Sequence, residues 1–160
     1  MKKLNPAYVT FVFEHVSKSP YFDLISMPIT SLTWGECRLE LVVQEKHTQP
    51  FGTIHGGVCA SLVDAASFWA VFSQLEEGLE MTTVELKLNY LAPVSEGRLI
   101  AKGRAIKAGN TICLGEASVE DEKGRLIAHG TATMMILRGL EIQSHSNMPP
   151  KFLDEEEQDE

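Results

Sequence analysis

The chain has 160 residues, of which 44 % are hydrophobic, so it is long enough for one domain with a core of ordinary size. Its net charge is −8, but six acids stand among the last seven residues, 154–160, which leaves −2 for the rest. A nearly neutral body without a dense cluster of Lys and Arg argues against nucleic-acid binding. The three cysteines, Cys37, Cys59 and Cys113, are far apart and lack a C-x-x-C pair, which predicts a reducing compartment and no structural zinc.

The N-terminus shows no targeting signal. Lys2 and Lys3 precede an apolar patch, but Glu14 and His15 end that patch well short of a secretory signal, and no small-residue cleavage site follows. The sequence therefore predicts a cytoplasmic protein that does not bind a membrane.

The first third of the chain predicts one helix and one strand. Asn5 and Pro6 form a good N-cap and first-turn pair, and apolar residues then recur at helical spacing as far as Val16. Ser19-Pro20 and Met27-Pro28 indicate an irregular connection. From Cys37 to Val43 apolar and polar residues alternate, as expected of a half-buried strand.

A helix from Gly56 to about Leu75 is apolar on nearly every side, so we expect other elements to enclose it. Its one acid, its two initial glycines and its serines favour a buried helix over a membrane span.

Four segments with strand character follow the helix, at about 81–91, 98–107, 111–120 and 125–137. The first alternates most clearly, with Val84, Leu86, Leu88 and Tyr90 against Thr83, Glu85, Lys87 and Asn89. Short turns between the last three favour antiparallel hairpins. The order of elements predicts an α+β fold in which an antiparallel sheet curls around one helix, with a single domain over residues 1–138. Residues 139–160 are predicted to be a disordered, solvated, acidic tail.

The most informative segment is 47–75, where Asp64 is the one formally charged residue among 29. An ionised carboxylate in such surroundings is costly unless it is hydrogen-bonded, paired or used in chemistry. The preceding glycines expose backbone N–H groups at the start of a helix, where the helix dipole adds positive character. Such an end can stabilise a developing oxyanion.

Helix geometry separates these two features. Asp64 lies about two and a half turns beyond His55, so it cannot reach the atom that contacts the Gly56 N–H within one subunit unless the substrate is elongated. A second copy of the helix would solve this problem by bringing Asp64 of one chain opposite Gly56 of the other. The sequence therefore predicts a shared site in an obligate dimer.

The run Gln49-Pro-Phe-Gly-Thr-Ile-His-Gly-Gly57, followed seven residues later by Asp64, resembles the hotdog-fold acyl-CoA thioesterases of the phenylacetate-pathway-type (PaaI-like) branch. The similarity extends over about residues 20–137. It implies a curved antiparallel sheet around a long central helix, a homodimer or a dimer of dimers, and two active sites at the dimer interface. No metal or redox cofactor is implied. Coenzyme A enters only as part of the substrate.

The resemblance also implies roles for single residues. Asp64 serves as nucleophile or general base, and the Gly56 N–H polarises the thioester carbonyl. Gln49 stands near the reacting centre, where many relatives have Asn, and Thr83 stands where relatives have a small hydroxyl residue that orients water. In the resembling family the turn that corresponds to Lys107, Gly109 and Asn110 approaches the coenzyme A moiety. Gly57, Phe68 and Trp69 are further candidate contacts to the substrate.

Each of these residues also has a simpler interpretation. Asp64 can be a satisfied core acid, and His55 can bind the preceding loop instead of acting as a base. Cys59 can pair with His55 or be plain core, and Ser61 lacks the context of a nucleophile. Phe68 and Trp69 can line an acyl pocket or fill the core. The segment 107–111 can be a simple hairpin turn, and Lys102 and Arg104 can meet phosphates or solvate a face of the sheet.

The resemblance implies hydrolysis of an acyl-CoA to free acid and CoA. The chemistry is compatible with this function, because a thioester needs only a positioned carboxylate and one or two oxyanion donors. Two alternatives stay open. One is an acyl-CoA sensor without turnover, and the other is a hydratase or dehydratase of acyl thioesters. The sequence leaves the acyl group open among phenylacetyl, hydroxybenzoyl and medium-chain groups, over a pocket floored by Phe68, Trp69 or Met81.

Overall fold

A computed structural model describes residues 2–139 and 147–153. Two short helices, α1 (Pro6–Phe11) and α2 (Pro20–Ile25), precede the long helix α3 (Gly56–Phe72). A π-helical turn, Val12–Val16, continues α1, and a 3-10 turn covers Glu45–His47. The strands are β1 (Ile29–Thr33), β2 (Glu36–Val42), β3 (Glu80–Tyr90), β4 (Arg98–Lys107), β5 (Ile112–Asp121) and β6 (Leu126–Leu137).

The six strands form one antiparallel sheet in the order β1-β2-β4-β5-β6-β3. Helix α3 packs against β2, β4, β5 and β6 on one face of this sheet. The predicted α+β architecture, a long central helix against an antiparallel sheet, is confirmed. The strand order leaves β3 and β1 at the two edges.

Helix α3 can lie close to the sheet because small residues meet at the contact. A Cβ atom added at Gly103 of β4 would collide with the backbone carbonyl of Ala66, and one at Gly115 of β5 would lie 2.8 Å from the Ser67 carbonyl oxygen. Leu62, Val63 and eight other residues of the helix are buried. Within the part of the chain that the structure describes, no helix has the length and apolar character needed to cross a membrane.

The connection at 19–36, predicted to be irregular, contains two regular elements. Pro20 occupies the first turn of α2, and the helix ends at Ser26, whose φ of 55° is left-handed. Strand β1 then pairs with β2. The sequence did not indicate β1 because a bulge between Ile29 and Ser31 interrupts its alternation.

The predicted disordered tail, 139–160, is described in the structure only in part, since 140–146 and 154–160 lie outside the described residues. Within the described part the prediction needs correction. The Asn5 N–H donates to the Lys151 carbonyl at 2.9 Å and the Leu153 N–H donates to the Lys3 carbonyl at 3.1 Å, so residues 151–153 run beside the N-terminal segment. Lys151 is buried.

His47 is a buried side chain that joins three parts of the fold. Its Nδ1 accepts the Gln44 N–H at 3.0 Å, so Nε2 carries the proton and donates to the Ile25 carbonyl, 2.7 Å away, at the end of α2. Its own carbonyl accepts the N–H of His55, the N-cap of α3, at 2.8 Å. His47 therefore connects α2 to the loop that leads into the central helix.

We expect His47 to make the fold less stable in acid. Burial, with the nearby charge of Lys46, lowers the pKa of His47 below its ordinary value of 6.5, although the hydrogen bond to Ile25 opposes this. The neutral ring therefore stabilises the folded state above pH 6.5, and this contribution is lost as the pH falls toward the folded-state pKa. Thermal melts between pH 7.5 and 5 should show a smaller loss for His47→Gln than for wild type. The exposed His15→Gln should behave as wild type, and an unchanged pH slope in His47→Gln would contradict the assignment.

Candidate active site

Asp64 lies on α3 and accepts a hydrogen bond from the Thr83 hydroxyl of β3, with Oγ1 and Oδ1 2.9 Å apart. Among the described residues, Thr83 is the side chain that donates to this carboxylate, and Oδ2 is left without a donor. Burial raises the pKa of Asp64 above its ordinary value, and the Thr83 hydrogen bond opposes that shift. Asp64 is only half-buried and has one side-chain donor among the described residues, so it differs from a fully hydrogen-bonded core acid.

Thr83 faces the helix because β3 contains a bulge at Val84. The register of β3 with β6 shifts between Thr83 and Glu85, so Thr83 and Leu86 both point to the helix side. Simple alternation would place these two residues on opposite faces, as the sequence pattern predicted. The bulge therefore brings Thr83 to Asp64 and turns Glu85 outward, toward Thr133.

Asp64 opens into a cavity of about 460 Å³ whose other walls are mainly apolar. Two predicted substrate contacts, Phe68 and Trp69, line it, whereas Met81 is buried in the core and does not. Sequence reasoning missed the opposite wall, which comes from α2, the second residue after it and β3: Tyr21, Phe22, Met27 and Leu86. No helical pattern marked α2, so nothing in the sequence indicated that wall.

The other predicted catalytic residues gather at the start of α3. The Gly57 N–H donates to His55 Nδ1 at 2.9 Å, which makes His55 the N-cap and leaves its ring without a lone pair for proton abstraction. The Gln49 side chain closes its own loop, since Nε2 donates to Thr53 Oγ1 at 2.6 Å and Oε1 accepts the Phe51 N–H at 2.8 Å. The Gly56 N–H has no acceptor among the described residues.

Gln49 and Gly56 line a second cavity, also of about 460 Å³, with Tyr90 over the helix start. A Cβ atom at Gly56 would lie 2.9 Å from the Tyr90 ring, so the bare glycine leaves room for this ring. Eight residues of helix place Asp64 about 12 Å along the axis from Gly56. Within one protomer the two halves of the predicted site therefore belong to different cavities.

The alternative nucleophiles near this helix start have other partners. Burial raises the pKa of Cys59 to about 11, so it stays a thiol and does not form an ion pair with His55. Ser61 donates to the Gly57 carbonyl at 2.8 Å and contacts the Tyr21 hydroxyl at 2.6 Å. Neither side chain is arranged as a nucleophile.

The predicted contacts Lys107, Gly109 and Asn110 form the hairpin between β4 and β5, and they line neither of these two cavities. The Asn110 carbonyl instead accepts a hydrogen bond from Arg138 at 2.8 Å. On the outer face of the sheet, Lys102 and Arg104 form ion pairs across strands.

Lys102 pairs with Glu120 at 2.6 Å and Arg104 pairs with Glu116 at 2.5 Å, so both basic side chains have acidic partners. This arrangement fits the solvated-face interpretation of Lys102 and Arg104.

Comparisons with known proteins bear on the family and the fold of the chain. The model of the Thioesterase superfamily matches residues 51–128. Acyl-coenzyme A thioesterase 13 of Mus musculus is 30 % identical over 126 residues, which are 76 % of this chain and 89 % of the mouse protein. The 1,4-dihydroxy-2-naphthoyl-CoA hydrolase of Listeria monocytogenes is 29 % identical over 114 residues, covering 71 % of this chain and 93 % of that protein.

Among solved structures, a thioesterase family protein from Silicibacter pomeroyi superposes with a TM-score of 0.74 at 32 % identity, and the match covers 82 % of this chain and 99 % of that one. The resemblance to hotdog thioesterases is thus confirmed, whereas membership of the PaaI-like branch stays a prediction. The matched region contains Gly56, Asp64 and Thr83, whereas Gln49 lies two residues before it. With a 30 % identical relative covered over most of its length, the chain belongs to the thioesterase superfamily.

Proposed function

We propose that this protein hydrolyses an acyl-CoA to the free acid and CoA in an active site shared by two protomers. The observation that carries this proposal is the half-buried Asp64 carboxylate, hydrogen-bonded to Thr83 beside an apolar cavity, on the same helix as an unused N–H at Gly56. The cavity accommodates the acyl group, and the carboxylate and the N–H supply the two groups that thioester hydrolysis needs.

The proposed dimer forms along strand β3. This strand is at an edge of the sheet and exposes apolar side chains there, with Val84 53 % and Tyr90 60 % accessible. Exposed edge strands are ready to pair with another chain. Pairing of β3 with its symmetry copy would continue the sheet and place the helix start of one protomer next to Asp64 of its partner.

In the proposed reaction the substrate carbonyl accepts the Gly56 N–H of one protomer, which stabilises negative charge on the oxygen as the carbonyl carbon is attacked. Asp64 of the other protomer either removes a proton from the attacking water or attacks the carbon directly through Oδ2. In either case the carbon–sulfur bond then breaks, and the CoA thiolate takes up a proton. Attack by water gives the free acid directly, whereas attack by Asp64 gives an acyl–Asp64 anhydride, which water hydrolyses to the free acid and the regenerated carboxylate. Thr83 holds Oδ1, so that Oδ2 points into the site.

Gln49 supports the Gly56 donor indirectly in this proposal. Both ends of its side chain are engaged with Phe51 and Thr53, so it fixes the loop that leads to the helix start. His55 fixes the first turn of the helix through the Gly57 N–H. Both residues therefore orient the oxyanion donor.

The first test replaces the carboxylate. Asp64→Asn should lower kcat for acyl-CoA hydrolysis by roughly 10²- to 10⁴-fold, since it removes the base or nucleophile. Its melting temperature at pH 7 should be at least that of wild type, because the raised pKa of Asp64 means that burying the charged form costs stability above pH 3.8. A thiol-release assay and a thermal melt measure the two effects, with the exposed Glu96→Gln as the control.

Wild-type turnover by Asp64→Asn would remove Asp64 from the mechanism. Wild-type protein that binds acyl-CoA without releasing thiol would instead indicate a sensor, and a change in enoyl absorbance without thiol release would indicate a hydratase.

The second test removes the proposed oxyanion donor. Gly56→Pro deletes the N–H at a position whose backbone accepts proline, because Gly56 is the first residue of α3 and His55 before it is already extended, with φ −70° and ψ 136°. The Tyr90 ring must shift to admit the added Cβ. Gly56→Pro should lower kcat by roughly 10²- to 10³-fold. Gly56→Ala is the matched control, since it adds a Cβ beside Tyr90 but keeps the N–H.

Mixing the two defects tests whether the site is shared. Equal amounts of Asp64→Asn and Gly56→Pro chains, refolded together, should recover roughly a quarter of wild-type activity, because half of the dimers are mixed and each mixed dimer has one native site. If each protomer held a complete site, every site in the mixture would carry one defect and activity would not return.

A further inference from the structure

The described C-terminal segment, residues 147–153, lies outside the region that matches the superfamily model, and its role is not explained by the proposed reaction. It is attached at three points. Leu4 forms a β-bridge with Phe152, the Phe152 ring lies 5.7 Å from Trp34, and the Lys151 N–H donates to the Glu77 carboxylate. These contacts hold Lys151 against the C-terminal end of α3.

Lys151 caps the central helix from within the protein. Only 5 % of the residue is accessible, and its Nζ donates to the carbonyls of Phe72 and Leu75, both at 3.1 Å. Phe72 is the last residue of α3, and its carbonyl also accepts the Leu75 N–H at 3.2 Å. Leu75 lies three residues beyond the helix, and the helix dipole favours a cation at this end. Burial lowers the pKa of Lys151 to about 8, while Glu80, Glu77 and Glu76 oppose that shift.

The same ammonium group lies over an aromatic ring that leads to the active-site cavity. Lys151 Nζ is 3.9 Å from the centroid of the Phe72 ring, at cation–π distance. The Phe72 ring stacks on Phe68 with centroids 5.6 Å apart and meets Trp69 edge-on at 5.4 Å. Phe68 and Trp69 line the cavity that contains Asp64.

We infer that Lys151 is a positioning residue for acyl-group recognition. Through the Phe72 ring it fixes Phe68 and Trp69, which form one wall of the Asp64 cavity, here called the far wall. This inference rests on the proposed function, since it takes that cavity as the acyl site. The Lys151 side chain does not line the cavity. It fixes the Phe72 ring from behind, and the stacked rings transmit that constraint to the cavity wall.

This role makes a prediction that a merely structural role does not. A structural cap that fails would reduce the fraction of folded enzyme and so lower the rate equally for every substrate. Loosening of the far wall would instead weaken binding of acyl chains long enough to touch it and leave short chains unaffected. The change in KM should therefore grow with acyl length while kcat stays nearly constant.

The experiment compares Lys151→Met, which keeps the aliphatic stem and removes the ammonium, with Lys151→Arg, which keeps a cation. The exposed Lys123→Met is the control. Saturated acyl-CoAs from butanoyl to dodecanoyl are assayed by thiol release, and binding of the matching S-alkyl-CoA thioethers is measured by calorimetry. We expect Lys151→Met to raise KM and Kd about fivefold to tenfold for the longest chain bound by wild type and less than twofold for the shortest. Lys151→Arg should restore most of the difference.

A second variant keeps the inference testable if Lys151→Met folds poorly. Phe72→Leu interrupts the row of rings and should produce the same length-dependent loss, and in the double variant the two effects should not add. Equal changes across all chain lengths, or none, would overturn the inference and leave the proposed function intact. If thioether binding depends on Lys151 but wild type hydrolyses no acyl-CoA, the proposed function is overturned and the inference about Lys151 stands. Failure of wild type to bind any thioether would overturn both.

Discussion

The fixed distance between Gly56 and Asp64 along one helix is the constraint on which this account depends. Both residues belong to α3, a single 17-residue helix, and they are eight positions apart. At the rise of an α-helix this is about 12 Å, too far for one thioester group to contact both. Two copies of the helix would explain both features, the unused Gly56 N–H and the half-buried Asp64 carboxylate, if each copy supplied one of these groups to the same site.

The packing of α3 on the sheet explains why burial raises the pKa of Asp64 while its carboxylate stays partly exposed. Small residues at Gly103 and Gly115 let the helix backbone approach β4 and β5 closely. Asp64 faces the opposite direction, toward the edge strand β3 and the cavity walled by α2. The central helix therefore has one side packed against the sheet and one side that borders the cavity, and Asp64 lies on the second.

Much of the fold could be predicted from the sequence because the signals were local. The glycines and the apolar run marked α3 to within three residues, and the alternating segments marked β3 to β6 with boundaries that differ by at most one residue. Strand β1 and helix α2 were missed, because a bulge and flanking prolines hide their periodicity. The sequence indicated His55, Gly56, Gly57 and Asp64 as candidate site residues, whereas it did not indicate the cavity wall contributed by α2.

Two features of the site depend on tertiary structure and left no local signal. Thr83 was named from the resemblance, but the alternation of β3 placed it on the face opposite Leu86, and only the bulge at Val84 shows how it meets Asp64. Lys151 follows two prolines near an acidic terminus, a context typical of a solvated tail. Its burial arises from pairing of residues 151–153 with the N-terminal segment, a contact between the two ends of the chain.

The proposed site requires Gly56 of one protomer and Asp64 of its partner to meet at one carbonyl group. The most direct measurement is a crystal structure of the protein with an inert ketone analogue of an acyl-CoA, in which a methylene separates sulfur from the carbonyl. We expect the ketone oxygen within about 3.1 Å of the Gly56 nitrogen of one protomer. Asp64 from its partner should lie against the carbonyl carbon. A monomer, or a ketone held by Gly56 with no carboxylate from a second chain beside it, would contradict the account.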